Sequence, residues 1–102
     1  MTSAMTIEEK TIRQYLSSMG VRFDLAGYTY LVEVVEYLLE NPTLQTKRAM
    51  ETVGTKYHVS YKNVQNSIRY ALKLAEHTPT GADAKQLIFD CVTYVRESEV
   101  LK

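Results

Sequence analysis

A chain of 102 residues with zero formal net charge has room for one ordinary domain and is no polycationic binder of the histone kind, though a local basic patch stays open to it. Its 45% hydrophobic and 24% charged residues exclude a disordered chain. The lone cysteine, Cys91, excludes an intrachain disulfide, and no apolar run reaches signal-peptide or membrane-span length, so a cytoplasmic protein without a membrane partner is expected.

Segments of helical period are separated by Gly20, by Asn41-Pro42 and by Thr78-Pro79-Thr80-Gly81, and no strand-like alternation persists. The expected fold is all-α: a compact bundle of about five helices over residues 1–102, read as a single domain. The first helix spans about Thr6 to Ser18. Ile12, Tyr15, Leu16 and Met19 recur on one face, Thr6 and Glu9 fit a capping box, and Gly20 suits a left-handed cap.

The second helix spans Ala26 to Glu40, with Tyr28, Leu31, Val34, Val35, Leu38 and Leu39 on a wide apolar face. Asn41-Pro42 stops it, because proline disfavours helical geometry in the residue before it. This segment reads as the central core helix. The third spans Thr46 to Tyr57, with Ala49, Met50, Val53 and Tyr57 inward. Gly54 in its middle costs about 1 kcal/mol against alanine, which close approach of another helix would explain. His58-Val59-Ser60 forms a turn.

The fourth helix takes Ser60 as its N-cap and runs to about Glu76, with Val64, Ile68, Ala71, Leu72 and Ala75 inward. His77 follows near its C-terminal end, where a positive charge is favoured. The last helix runs from about Asp83 to Glu97, with Leu87, Ile88, Cys91, Val92 and Val95 inward; it either extends the core or forms a dimer face.

The third and fourth segments have the parts of a helix-turn-helix: two short helices, a tight turn, a small residue at the crossing (Gly54) and an apolar plug (Val59). At ~100° per residue, Lys62, Gln65, Asn66, Arg69 and Lys73 fall opposite the buried line of Val64, Ile68 and Leu72. Tyr61 and Asn63 sit in the first turn, where a recognition helix reaches base edges. Arginine can pair with guanine, asparagine and glutamine with adenine, and lysine can hold phosphate. Residues 44–77 carry six basic and two acidic residues, a local +4, against −4 for the rest. The candidate DNA-binding residues are therefore Lys47, Lys56, Tyr61, Lys62, Asn63, Gln65, Asn66, Arg69 and Lys73, and the expected partner is double-stranded DNA.

Little points to catalysis. There is no glycine-rich phosphate loop, no Cys-x-x-Cys, no His-Glu-x-x-His and no carboxylate pair arranged for acid–base work. His58 suits a turn with unusual backbone angles, and Cys91 on an apolar face reads as a small buried hydrophobe. Tyr15, Tyr28, Tyr37 and Tyr57 read as packing residues; Tyr61 and Tyr70 are expected to be partly exposed. No enzyme, cofactor, metal or small-molecule substrate is expected.

Residues about 18–77 resemble the C-terminal effector domain of the stage zero sporulation factor A family, the sporulation master response regulators. The resemblance rests on Gly27-Tyr28-Thr29-Tyr30-Leu31 and on Val64-Gln65-Asn66-Ser67-Ile68-Arg69-Tyr70-Ala71-Leu72, with Glu40-Asn41-Pro42 and Thr46-Lys47 between. It implies an all-helical transcription regulator that binds DNA through a helix-turn-helix, with copies in tandem on DNA; because a single recognition helix gives limited affinity, a homodimer or tandem copies are expected. The family's base contacts map onto Asn63, Gln65, Asn66 and Arg69. Only Arg69 keeps the family's residue type, since arginines are expected at 63 and 66 and a glutamate at 65, which implies a different base preference. The chain starts one short helix before the matching part, so a stand-alone homologue without a receiver domain, or a fragment, is expected. A second reading is a receiverless interaction module that pairs with or antagonises a related regulator, its surface supplied by the acidic first half.

Overall fold

Residues 6–75 and 84–100 are described by the structure, a computed structural model; the expectations for Glu76, His77, Asp83 and the Thr78–Gly81 break lie outside them. Helix α1 is Ile7–Ser18. Thr6 Oγ1 accepts a hydrogen bond from the Glu9 N–H at 3.0 Å, as the capping box requires, but Glu9 instead accepts from Arg13 Nε at 2.9 Å. Gly20, at φ 76°, ends the helix. Its N–H donates to the Ser17 carbonyl and that of Val21 to the Leu16 carbonyl, the paired closure of a Schellman motif.

Helix α2, Ala26–Glu40, packs against every other helix. That position explains its composition: Tyr28, Leu31, Val34, Val35 and Leu38 are buried as expected, and so is Val32, while Leu39 is half-buried. At its end the Asn41 N–H and Nδ2 both donate to the Tyr37 carbonyl, at 2.9 and 3.0 Å.

Helix α3, Thr46–Tyr57, buries Ala49, Met50, Val53 and Gly54. Tyr57, expected inward, is 37% exposed. Its phenol needs a partner and finds one at the surface, where the hydroxyl donates to Glu33 and the ring tilts against Tyr30 at 5.3 Å. Helix α4, Tyr61–Leu74, buries Val64, Ile68 and Ala71 and stops two residues short of expectation, because Ala75 is already extended at ψ 141°. Helix α5, Ala84–Val100, outlasts its expected end by three residues. Its Leu87, Ile88, Cys91, Val92 and Val95 are all buried against the rest of the bundle, so this helix extends the core. Burial pushes the Cys91 thiol up to about 12, which leaves it protonated and unreactive at neutral pH. No helix among the described residues is long and apolar enough to cross a membrane.

One surface of α2 gathers carboxylates. Glu33, Glu36 and Glu40 line a shallow depression beside Tyr37. Burial, then the neighbouring Glu9, Glu33 and Glu40, raise the Glu36 carboxyl above its ordinary value. The folded state thus holds this proton more tightly than the unfolded chain does. The associated stability is present at acid pH and is lost as pH rises through the folded value. Glu36→Gln, which removes the charge and keeps the shape, is expected to raise the melting temperature at neutral pH. The gain should shrink in thermal scans taken down into the ordinary carboxylate range.

Candidate nucleic-acid interface

The link between α3 and α4 is built by one left-handed residue. His58 sits at φ 59°, the single described non-glycine residue at positive φ. Its N–H donates to the Thr55 carbonyl and that of Val59 to the Gly54 carbonyl, a second Schellman closure that turns the chain in three residues. Val59 tucks half-buried against the core as the expected plug. Gly54 does serve a close approach, but of the turn and not of a crossing helix: a Cβ there would lie 2.7 Å from the Val59 carbonyl oxygen. Because a side chain is strained at positive φ, His58→Gly is expected to stabilise the fold by about 0.5–1 kcal/mol, read as a higher urea midpoint at unchanged slope.

Helix α4 is then seated on α2. A Cβ on Gly27 would lie 2.1 Å from the Ser67 carbonyl oxygen and 2.9 Å from Ala71 Cβ, so the two helices touch backbone to backbone there. The role of Gly27 is not visible in the helical period of α2. The available signal was Ser67 and Ala71, small residues four apart on the facing side of α4. Ser60 Oγ accepts from the Asn63 N–H at 3.0 Å and fixes the first turn.

With α4 held on that side, the opposite side faces solvent. Lys62, Asn66, Arg69 and Lys73 lie within about 60° of one another around the helix. All four are exposed, and none makes a hydrogen bond or ion pair among the described residues. Asn63 and Tyr70 are exposed on one flank, with the Asn63 Oδ1 accepting from Ser67 Oγ at 3.3 Å. On the other flank Gln65, expected on the outer face, is half-buried and donates through Nε2 to the Tyr61 hydroxyl at 3.1 Å. Tyr61 is half-buried in turn, with Lys47 Nζ 5.5 Å above its ring centre. The first turns of α3 and α4 are thereby tied through Lys47 and Tyr61.

Lys56 is drawn elsewhere. Its Nζ lies 2.5 Å from the Glu33 carboxylate, which also accepts from Tyr57, and these bonds raise both the Lys56 ammonium and the Tyr57 hydroxyl above their ordinary values. Arg48 pairs with Glu51 at 3.6 Å. Of the six cations between 44 and 77, Lys47, Lys62, Arg69 and Lys73 have no carboxylate partner among the described residues. Sequence spacing alone could not make that distinction, because Glu33 is on another helix.

An all-helical bundle whose α3–turn–α4 unit fits the helix-turn-helix, with a cationic and amide-bearing outer face on the second helix, defines a DNA-binding regulatory domain. The chain belongs to the family described as sporulation initiation factor Spo0A C terminal, whose model matches residues 12–98. It is thus a DNA-binding domain of the sporulation-regulator type. Among curated proteins none matches the chain.

Proposed function

We propose that this chain is a sequence-specific reader of double-stranded DNA that acts as a transcriptional regulator, with α4 as the recognition helix in the major groove. The carrying observation is the stripe of Lys62, Asn66, Arg69 and Lys73: exposed, unpaired among the described residues, and backed by a helix locked on its other side at Gly27. Arg69 and Asn66, with Asn63 on the flank, read base edges. Lys62, Lys73 and Lys47 hold phosphates, and Lys47 is helped by the first turn of α3, where Gln45 leaves the helix N-terminus without a side-chain cap. Gln65 and Tyr61 position the reading turn through their mutual hydrogen bond. Lys56, committed to Glu33, stands outside the contact set. A single recognition helix spans few base pairs, so specific binding uses a homodimer or tandem copies on adjacent half-sites.

Selection on a random duplex library tests this reading. One enriched motif is expected, with affinity falling linearly in log salt by about 0.9 per phosphate contact. Absence of an enriched motif, or retention of duplex without a salt-dependent component, overturns it and favours the interaction-module reading.

A further inference from the structure

Away from the outer face of α4, a groove of about 540 Å³ opens between α5 and the corner where α2 passes into α3. On α5, Lys85, Phe89, Val92 and Arg96 recur at helical spacing and form one wall. The rest of the lining is mostly apolar and includes Leu38, Pro42, Leu44 and Met50, together with Tyr61 and Lys47. Phe89 is 66% exposed, so folding leaves much of its ring in water.

Among the described residues, the charged groups that line this groove are Lys47, Lys85 and Arg96, all cationic, with no carboxylate beside them. Among the described residues none of the three is in an ion pair. Lys47 lies over Tyr61, and Arg96 donates to the Leu38 carbonyl at 3.4 Å, which holds its guanidinium at the rim. In a chain of zero net charge this is a segregated site, since Glu33, Glu36 and Glu40 line a different depression on α2. An apolar lining with a cationic rim is complementary to bulky apolar side chains flanked by carboxylates. With walls drawn from four helices, the groove can take a chain segment laid across it, anchored by its apolar side chains and held by its carboxylates. A DNA backbone would satisfy the cations and leave the apolar lining and Phe89 uncovered.

We propose that this groove docks an acidic amphipathic segment of a partner protein, its apolar side chains on Phe89, Leu44 and Pro42 and its carboxylates toward Lys85, Arg96 and Lys47. The groove shares Lys47 and Tyr61 with the DNA reading, but Lys85 and Phe89 lie outside both the α4 stripe and the proposed DNA contacts and separate the two. Both are exposed, so Lys85→Glu and Phe89→Ser leave the core intact.

Short random peptides displayed on phage, panned against the full chain, provide the test. Enriched peptides are expected to pair bulky apolar residues with at least two carboxylates. Their synthetic forms should shift the amide resonances of residues along the groove, weaken as salt rises, and lose about tenfold or more in affinity to either variant. Replacing their carboxylates by amides should cost as much. The proposal is overturned if enriched peptides lack carboxylates, if nothing is enriched, or if binding maps elsewhere or ignores both variants. It is also overturned if random-sequence duplex DNA shifts the same groove resonances and competes the peptides off through Lys85. Self-association abolished by Lys85→Glu or Phe89→Ser would assign the groove to a second copy of the chain and overturn it equally.

Discussion

Gly27→Ala should lower the melting temperature by roughly 12–24 °C, at about 4–8 °C per kcal/mol for a domain near this size. The new methyl group would sit 2.1 Å from the Ser67 carbonyl oxygen and 2.7 Å from its carbon. Neither atom belongs to a flexible side chain. Both are backbone in the middle of α4, so relief requires the whole helix to move. Moving it withdraws Val64, Ile68 and Ala71 from a core in which they are fully buried. Overpacking of this kind costs about 1–3 kcal/mol and occasionally more, and a rigid backbone contact belongs at the top of that range. Against a total stability of about 5–15 kcal/mol, that is a large fraction. The double variant Gly27→Ala/Ala71→Gly should recover little, because the severe clash is with Ser67. Gly54→Ala should cost less, about 1–2 kcal/mol, since the Val59–Ser60 turn that crowds it can give way more readily than a helix. Thermal circular dichroism checks all three. A melting point within a few degrees of wild type for Gly27→Ala would mean that α4 is not seated on α2 as described.

The features legible in the sequence are those enforced by neighbours along the chain. Asn41-Pro42 ends α2 at Glu40, and Ser60 caps α4 through Asn63, both as local chemistry demands. The wide apolar face of α2 announces a central helix because few other positions in a bundle can absorb it. What escapes the sequence depends on contacts between helices. The Glu33 carboxylate takes Lys56 out of the basic patch across 23 residues. Gln65 lies about 100° from Val64 around the helix, a boundary angle that a wheel cannot assign to either side. Whether it faces out is decided by the Tyr61 hydroxyl, which draws it onto the flank. Gly27 stands out through the family resemblance and the small Ser67 and Ala71 facing it, and not through periodicity, which registers side chains when its function is to have none.

Arg69→Ala should weaken binding to a selected duplex by about 1–3 kcal/mol, roughly fivefold to more than a hundredfold, and relax preference at one base position. Arg69 is exposed and has no partner among the described residues, so stability should stay within about 0.5 kcal/mol of wild type. That separation matters: a loss of binding without a loss of folding places the effect at the DNA surface. Lys73→Ala supplies the contrast. A phosphate contact carries no base information, so its loss should weaken all sequences alike and reduce the salt slope by about 1. Lys56→Ala should do neither, because its ammonium is held by Glu33. Asn66→Arg adds a cation in the middle of the stripe; it should steepen the salt slope and move base preference toward guanine at the position Asn66 faces. Gel shifts over a salt series, with the selected duplex and a scrambled one, read all four variants together. If Arg69→Ala leaves affinity for the selected duplex unchanged at moderate salt, α4 is not the reading element, and the exposed stripe must serve another partner.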